Sequence, residues 1–340
     1  MIRNILVVGC GVMGRTWLKA ITENPRVKLA GVVDVRLEAA QSAAKDFGLA
    51  PGQAFTDLRQ AITAVRPDFI CDITIPEAHC PSTVTALKMG VPVLGEKPLA
   101  ASMAQARTML KAADQTKILY AVSQSRRYNP NHRTIADLVR TGAIGRPTTI
   151  NCDFYIGAHF GGFRDTMESP LILDMAIHHF DLCRMITAAD PVAVYAHEFN
   201  PAGSWYQGKV AASVIFEMSD GLVFTYRGSW CAEGCHTSWN GDWRVIGDRG
   251  TLLMAGDKAP LGRRVKAGGK PGFHAELEDI PVTVAPLKDN EIRGALQEFL
   301  DAFDGGPKPQ GEVHDNIKSL AMVFAAIASA RAGRRIPVKC

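Results

Sequence analysis

Short apolar runs alternate with longer segments along the first third of the chain, and in the longer segments apolar residues recur with helical spacing. Short apolar runs are typical of buried strands, and helical spacing of apolar residues is typical of amphipathic helices. Their alternation predicts a doubly wound parallel sheet with right-handed crossovers. The predicted strands cover residues 4–9, 28–34, 69–74, 91–96 and 118–123, and the predicted helices lie near 13–23, 37–47, 57–64, 79–89 and 102–114.

After Ser123 the pattern changes to strand-like segments separated by the turn signals SDG, NGD and GDRG. Closely spaced turns of this kind favour an open, mainly antiparallel sheet. The predicted fold class is therefore α/β, with one domain over residues 1–123, a second over 124–340, and a C-terminal helix that packs back on the first domain. The second domain is predicted to hold strands at 148–157, 192–199, 209–218, 222–230, 243–248 and 250–255, helices at 171–186, 289–304 and 312–331, and a mobile loop at 262–272.

Composition narrows the class of protein. The 340 residues are 47% hydrophobic with a formal net charge of +4, which is typical of a globular protein large enough for two domains. No block of Lys or Arg predicts nucleic-acid binding, no apolar run could span a membrane, and the N-terminal ILVV runs into a Gly-rich turn rather than a signal-peptide cleavage site. We therefore expect a cytoplasmic protein without nucleic-acid or membrane partners.

Metal binding is not predicted. The 8 cysteines are scattered and are read as reduced thiols. Cys231, Cys235 and His236 lie close in sequence, but the spacing differs from a C-x-x-C pair and no second ligand cluster follows.

A glycine array at the end of the first predicted strand predicts a dinucleotide site. Gly9, Gly11 and Gly14 form G-x-G-x-x-G between a strand and a helix, where the glycines permit a tight turn, close approach of a pyrophosphate and close helix packing. Asp34 ends the second strand at the distance expected for a ribose-binding carboxylate. This carboxylate favours NAD, although Arg36 could hold the phosphate of NADP, so NADP remains an alternative.

The ends of the later strands are also candidates, because ligands bind at the carboxyl ends of the strands in this fold. Pro76 ends one strand, and Lys97 within Glu96-Lys97-Pro98 lies at the mouth of the sheet, where a partly desolvated Lys could exchange protons. The predicted cofactor contacts are Gly9, Gly11, Val12, Met13, Gly14, Asp34, Val35, Arg36, Thr74, Ile75, Pro76, His79, Glu96 and Lys97.

The helix LILDMAIHHFDLCRMI (171–186) carries ionisable residues among apolar ones. Asp174, His178 and Asp181 share one face at helical spacing, while His179 points about a quarter-turn away and is expected to be structural. From the residues alone three interpretations stay open: a hydrogen-bonded core network, a metal site, and an acid–base pair in which a carboxylate orients a His.

Taken together, GCGVMG, TIPEAHCPSTVTALKMGVPVLGEKPLA, RRYNP and LDMAIHHFD resemble the Gfo/Idh/MocA family, the group of glucose–fructose oxidoreductase and inositol dehydrogenase. The resemblance covers essentially the whole chain; one departure is Ala176, where many members have Gly. It implies an N-terminal NAD(P)-binding Rossmann domain, a C-terminal α/β domain for substrate binding and oligomerisation, and oxidation or reduction of sugars and polyols. It further implies that Lys97 contacts substrate and nicotinamide, and that Asp174 and His178 complete the site.

The expected activity is hydride transfer between NAD and a secondary alcohol of a sugar, anhydrosugar or cyclitol. Lys97, Asp174 and His178 are the predicted catalytic residues, and whether Lys97 or His178 is the formal base stays open. Side chains expected to bind the substrate are Lys97, Arg127, Tyr155, Arg164, Asp174 and His178.

Two rival functions are an NAD-dependent glycoside hydrolase that works by transient oxidation and a non-catalytic dinucleotide-binding regulator. The presence of Lys97, Asp174 and His178 argues against the regulator. An open sheet needs its free face covered, so a homodimer or homotetramer through the C-terminal sheet is expected.

Overall fold

A computed structural model describes residues 2–270 and 272–340; Pro271, within the predicted loop 262–272, lies outside them. The chain divides into two compact units. The first comprises the chain up to Ser125 together with Asp289–Leu320, and the second comprises Arg126–Lys288 together with Ala321–Cys340.

The first unit is built on a six-stranded parallel sheet with the order β3-β2-β1-β4-β5-β6. The order reverses direction at β1, which places a topological switch point beside the glycine array at the end of that strand. The strands are β1 (Arg3–Val8), β2 (Val27–Val33), β3 (Ala54–Phe55), β4 (Phe69–Asp72), β5 (Val93–Glu96) and β6 (Tyr120–Ser123).

Helices cover this sheet, and two of them follow a residue whose side chain caps the first turn. The Asp57 carboxylate accepts a hydrogen bond from Gln60 N, and the Ser102 hydroxyl accepts one from Gln105 N, so each caps its helix. The helices are α1 (Val12–Thr22), α2 (Leu37–Asp46), α3 (Leu58–Val65), α4 (Pro76–Lys88), α5 (Met103–Thr116) and, from the later segment, α9 (Glu291–Phe303).

The second unit is built on a nine-stranded sheet with the order β14-β13-β12-β11-β7-β10-β9-β8-β15. Neighbours are antiparallel except β7 and β10, which run parallel. The strands are β7 (Pro147–Tyr155), β8 (Pro191–Phe199), β9 (Ala211–Met218), β10 (Val223–Ser229), β11 (Asp242–Gly247), β12 (Gly250–Met254), β13 (Leu261–Val265), β14 (Leu277–Asp279) and β15 (Ile336–Pro337).

The predicted helix at 171–186 has two parts in the second unit. A π-helical turn at Leu171–Ala176 leads directly into α8, an α-helix. Side chains from α8 pack on the sheet, where the Phe180 ring meets Phe216 edge-on with ring centroids 4.9 Å apart. The helices are α6 (Pro130–Arg140), α7 (Phe163–Thr166), α8 (Ile177–Thr187) and α10 (Val313–Ala332), of which α10 begins in the first unit; 3-10 turns cover Ser125–Tyr128 and Ser219–Gly221.

The predicted fold class is confirmed, but two expectations were wrong. Residues 289–320 belong to the first unit and not to the second domain, because Leu296, Phe299 and Leu300 of α9 are buried in the core of the first unit. The expected loop at 262–272 begins within strand β13, whose Arg264 pairs with Glu278 of β14 at 2.7 Å. The strand was not predicted because its charged side chains interrupt the alternation of apolar and polar residues.

Across residues 2–270 and 272–340, no helix combines the length and apolar character needed to cross a membrane.

Candidate active site

The turn between β1 and α1 is shaped by its three glycines. Gly9 has a φ of +97°, and a Cβ atom there would lie 2.4 Å from the carbonyl oxygen of Ile73. A Cβ atom on Gly14 would lie 2.0 Å from the carbonyl oxygen of Gly9, whereas one on Gly11 would meet nothing within 4 Å. Gly9 and Gly14 are therefore required by the fold, while Gly11 leaves open space over the start of α1.

This open space fits the pyrophosphate of a dinucleotide. Gly11 precedes α1 and no side chain caps the helix, so the first N–H groups and the positive end of the helix dipole are available to an anion. Apolar side chains at the neighbouring strand ends are exposed: Val12 by 86%, Val35 by 90% and Ile75 by 65%. A bound dinucleotide would cover such surfaces, so these residues fit the NAD expected from the sequence.

Asp34 is already organised at the end of β2. Its Oδ2 accepts a hydrogen bond from Cys10 N and its Oδ1 accepts one from Arg36 N, both at 2.9 Å. The Arg36 Nε lies 3.7 Å from Asp34 Oδ1, and its side chain is 70% exposed. The two backbone donors fix the carboxylate at the end of β2, and its contact with ribose hydroxyls stays a prediction.

A buried polar network lies under the end of β4. Asp72 accepts hydrogen bonds from the hydroxyls of Thr74 at 2.6 Å and Thr83 at 3.2 Å, and the Nδ1 of His79 lies 3.3 Å from its Oδ1. Both Asp72 and His79 are almost completely buried. The structure therefore pairs His79 with Asp72, and a direct contact of His79 with the cofactor stays a prediction.

Glu96 fixes the backbone at Lys97. One carboxylate oxygen accepts a hydrogen bond from the Trp17 indole N–H at 2.9 Å, and the other accepts one from Lys97 N at 2.8 Å. Burial raises the pKa of Glu96. The Lys97–Pro98 peptide bond is cis. Glu96 acts on Lys97 through the backbone, which gives it a positioning role beside the predicted cofactor contact.

In the second unit, Asp174 and His178 stand four positions apart across the junction of the π-helical turn and α8. The Nε of Arg164 donates to Asp174 Oδ2 at 2.6 Å. An arginine that is predicted to bind the substrate is therefore held against the carboxylate of the predicted catalytic pair. The Asp174 side chain is 15% exposed, and His178 is 8% exposed. Single π-helical turns within helices occur frequently at functional sites.

Arg127 and Asp181 form a buried ion pair. Both carboxylate oxygens of Asp181 accept hydrogen bonds from the guanidinium, each at 2.7 Å. Arg127 lies within the 3-10 turn at Ser125–Tyr128 and is only 5% exposed, so this buried pair ties that turn to α8. Its predicted contact with substrate stays a prediction.

His179 is buried among aromatic rings, away from the polar face of α8. Its ring lies 5.0 Å from Phe154, 5.5 Å from Tyr226 and 6.0 Å from Trp243, measured between centroids. Burial lowers the pKa of His179 well below its usual value, which keeps the ring neutral. This surrounding supports the structural role expected from the sequence.

The family models agree with this geometry. A model described as "Oxidoreductase family, NAD-binding Rossmann fold" matches residues 3–124, and the "GFO/IDH/MocA C-terminal domain" matches residues 132–253. The chain belongs to the Gfo/Idh/MocA family. It is accordingly an oxidoreductase that uses NAD, and the family predicted from the sequence is confirmed.

Other proteins resemble the chain over nearly its full length. It is 28% identical to the uncharacterized protein y4oX of Sinorhizobium fredii, across 100% of this chain and 96% of the relative. It is 24% identical to D-apiose dehydrogenase of Paraburkholderia graminis, across 98% of this chain and 89% of the relative. An oxidoreductase from Agrobacterium radiobacter, crystallised with NAD+, L-tartaric acid and magnesium, shares the fold with a TM-score of 0.86 and 19% identity, covering 99% of this chain and 98% of that one.

Several side chains that contact the predicted site residues were not singled out from the sequence. Trp17 and Thr83 lie on helices whose apolar spacing gave them no separate signal. Asp72 did carry a signal, because it is a lone carboxylate in the otherwise apolar strand FICD. Such a buried charge requires partners, and His79 is one of them.

The described residues, 2–270 and 272–340, contain no grouping of three or more His, Cys, Asp and Glu side chains suited to a metal ion. The eight cysteines are free thiols.

Proposed function

We propose that the protein is an NAD-dependent dehydrogenase or reductase that acts on a secondary alcohol of a sugar, anhydrosugar or cyclitol. The observation that carries the proposal is the Asp174 carboxylate, held by Arg164 and one helical turn before His178. A carboxylate and a His in this order are suited to proton transfer with an alcohol. A relative that is named a D-apiose dehydrogenase supports the substrate class.

The residues have distinct proposed roles. His178 takes the hydroxyl proton at a ring nitrogen, and the negative charge of Asp174 stabilises the imidazolium that results. Lys97, held at its backbone by Glu96, donates a hydrogen bond to the substrate. NAD supplies the hydride acceptor when bound.

Three further residues are proposed to bind the substrate. Burial raises the pKa of Tyr155, so its hydroxyl stays protonated and can donate to a sugar oxygen. Arg164 is partly exposed beside Asp174 and can use its remaining N–H groups. Arg127, paired with Asp181, completes the set.

The test is NADH formation, followed by absorbance, with a panel of aldoses, anhydrosugars and cyclitols and with NAD and NADP in parallel. We expect NADH release with at least one free sugar or cyclitol and a preference for NAD. Release of the aglycone from a nitrophenyl glycoside, assayed in parallel, without net NADH would instead identify a glycoside hydrolase. Measurable NAD binding without turnover across the panel would contradict the proposal.

Single substitutions test the roles proposed for His178 and Lys97. His178→Gln and Lys97→Met should each abolish turnover while NAD affinity changes little. His274→Gln and Lys88→Met replace exposed residues of the same types and should retain activity. Full activity in His178→Gln or Lys97→Met would refute its assigned role.

We also propose a homodimer or homotetramer formed through the sheet of the second unit. Tyr195 and Ile215 are cross-strand neighbours on its outer face, and they are 49% and 47% exposed. The ion pairs Arg227–Asp153 and Arg335–Glu217 present both charge signs on the same sheet, which suits a second copy of the chain. Light scattering should show an oligomer that Ile215→Lys converts to monomers; a monomeric wild type would refute this assembly.

Eight free thiols suit a reducing compartment, and we propose that the enzyme works in the cytoplasm.

A further inference from the structure

Three large aromatic side chains of the second unit are exposed next to the segment that carries Arg164. Phe160 is 43% exposed, Phe163 is 66% exposed and Trp239 is 42% exposed. We call these three residues the aromatic shelf. Exposed apolar groups that stand together in this way mark binding surfaces more often than scattered single residues do.

Two rings of the aromatic shelf pack against buried aromatic rings. Phe160 meets the buried Trp230 edge-on, with ring centroids 5.1 Å apart, and Trp239 lies 6.0 Å from the buried Phe154. Phe160 and Trp239 are themselves 6.1 Å apart. Because two of its rings rest on buried ones, the shelf offers a surface that is largely formed before a ligand arrives.

A single guanidinium joins the shelf to the proposed catalytic pair. The Cζ of Arg164 lies 4.9 Å from the centroid of Phe160 and 4.8 Å from that of Phe163, and its Nε donates to Asp174 at 2.6 Å. A group bound on the shelf would therefore lie beside Asp174, within reach of a substrate whose other part is being oxidised.

Polar groups border the same segment. His159, directly before Phe160, stacks on Trp205 with centroids 3.7 Å apart and contacts the Glu233 carboxylate at 2.7 Å. His159 and Glu233 are both largely exposed, with side chains 63% and 60% accessible. Aromatic faces with hydrogen-bonding groups at their border match a sugar ring, whose C–H face is apolar and whose edge carries hydroxyls.

We propose that the aromatic shelf binds a second sugar ring, joined by a glycosidic bond to the sugar that is oxidised. The preferred substrate is therefore a disaccharide or a related glycoside, which binds more tightly than the free monosaccharide that carries the same oxidised ring. This inference rests on the proposed function for its chemistry, but the binding of the second ring is measured without turnover.

The test is calorimetric titration of the NADH-loaded enzyme, which cannot oxidise a sugar, with a panel of disaccharides, among them cellobiose, maltose and melibiose, and with glucose and galactose. We expect at least one disaccharide to bind about tenfold more tightly than its constituent monosaccharides, as one added stacking contact would give. Trp239→Ala and Phe163→Ala should remove most of that ratio. Phe273→Ala, which removes a phenyl ring that is 98% exposed elsewhere in the unit, should preserve it.

Two outcomes would overturn the inference. One is equal affinity for every disaccharide and its monosaccharides, and the other is a ratio that survives both shelf substitutions. A lower particle mass in Trp239→Ala with no change in sugar affinity would instead assign the shelf to a contact between copies. NADH formation with monosaccharides, measured separately, tests the proposed function alone, so failure of one proposal can be told from failure of the other.

Discussion

Glu96 shows how a single buried carboxylate can control a neighbour that is proposed to do chemistry. Its two oxygens are occupied by Trp17 Nε1 and Lys97 N, so it joins α1 to the backbone at the end of β5. Its pKa is raised by burial, and the N–H donors on both sides partly offset that cost. Removing these acceptors would leave two N–H groups unpaired in the interior.

We predict that Glu96→Ala lowers kcat at least tenfold, because the Lys97 backbone loses its anchor, while the Kd for NAD changes much less. Glu96→Gln keeps one acceptor oxygen and should recover part of the rate. Steady-state kinetics over a range of pH checks this. Equal loss in both variants, with an unchanged pH profile, would point to a merely structural role.

His179 and His132 make the free energy of unfolding depend on pH in the acid range. Burial lowers the pKa of His179 well below its usual value and the pKa of His132 to about 4. The unfolded chain then binds more protons than the folded one below about pH 6.5, the ordinary pKa of His. The stability contributed by the neutral rings is thus present above about pH 6.5 and is lost as the pH falls towards the folded pKa values.

We predict that the Tm falls between pH 7 and pH 5, and that it falls less steeply in His179→Phe, which keeps an aromatic ring between Phe154 and Tyr226. His274→Phe, at an exposed position, should retain the wild-type dependence. Scanning calorimetry at both pH values gives the comparison. The same pH dependence in His179→Phe and wild type would show that His179 is not the group responsible.

At the scale of elements, the turn from β1 into α1 contains two glycines that the fold requires, Gly9 and Gly14, and one that it does not, Gly11. Gly11 has a φ of −70°, which any residue can adopt, and a Cβ atom there meets nothing within 4 Å. We predict that Gly11→Ala leaves the Tm without NAD nearly unchanged and raises the Kd for NAD about tenfold, because the methyl group occupies the space of the pyrophosphate.

Gly14→Ala is the matched comparison, because its Cβ would lie 2.0 Å from the carbonyl oxygen of Gly9. It should lower the Tm whether or not NAD is present. Calorimetry of both variants with and without NAD measures the two effects separately, and an undiminished affinity for NAD in Gly11→Ala would place the pyrophosphate elsewhere.

Elements set by local patterns could be predicted, and those set by distant partners could not. The glycine turn and Asp34 follow from the spacing of nearby residues. The pairing of Asp72 with His79 depends on how β4 packs against α4, and the Arg164–Asp174 contact depends on the course of the chain between α7 and the π-helical turn. Strand β13 was missed because its charged residues show no apolar alternation, and its partners β12 and β14 are identified only by the fold.

At the scale of the whole molecule, the chain leaves its first unit at Ser125 and returns to it at Asp289. From the sequence, a C-terminal helix was expected to pack back on the first domain, but residues 289–320 were assigned to the second domain from their position along the chain. Its helix α9 packs Phe299 against Phe69 of β4, with ring centroids 5.0 Å apart. Arg26 also pairs with Asp301 and Asp304, which fastens the end of the same helix to the first unit.

We therefore predict that a fragment ending at Ser125 does not fold stably or bind NAD, because the apolar surface around Phe69 would be exposed. Joining Asp289–Leu320 to this fragment through a flexible linker should restore cooperative melting and a rise in Tm on adding NAD. In the full chain, Phe299→Ala should destabilise the first unit by about 3–5 kcal/mol through the cavity it leaves. Calorimetry of the two fragments, with circular dichroism to follow folding, is the measurement. Cooperative, NAD-dependent melting of the shorter fragment would show that α9 only covers a core that is complete without it.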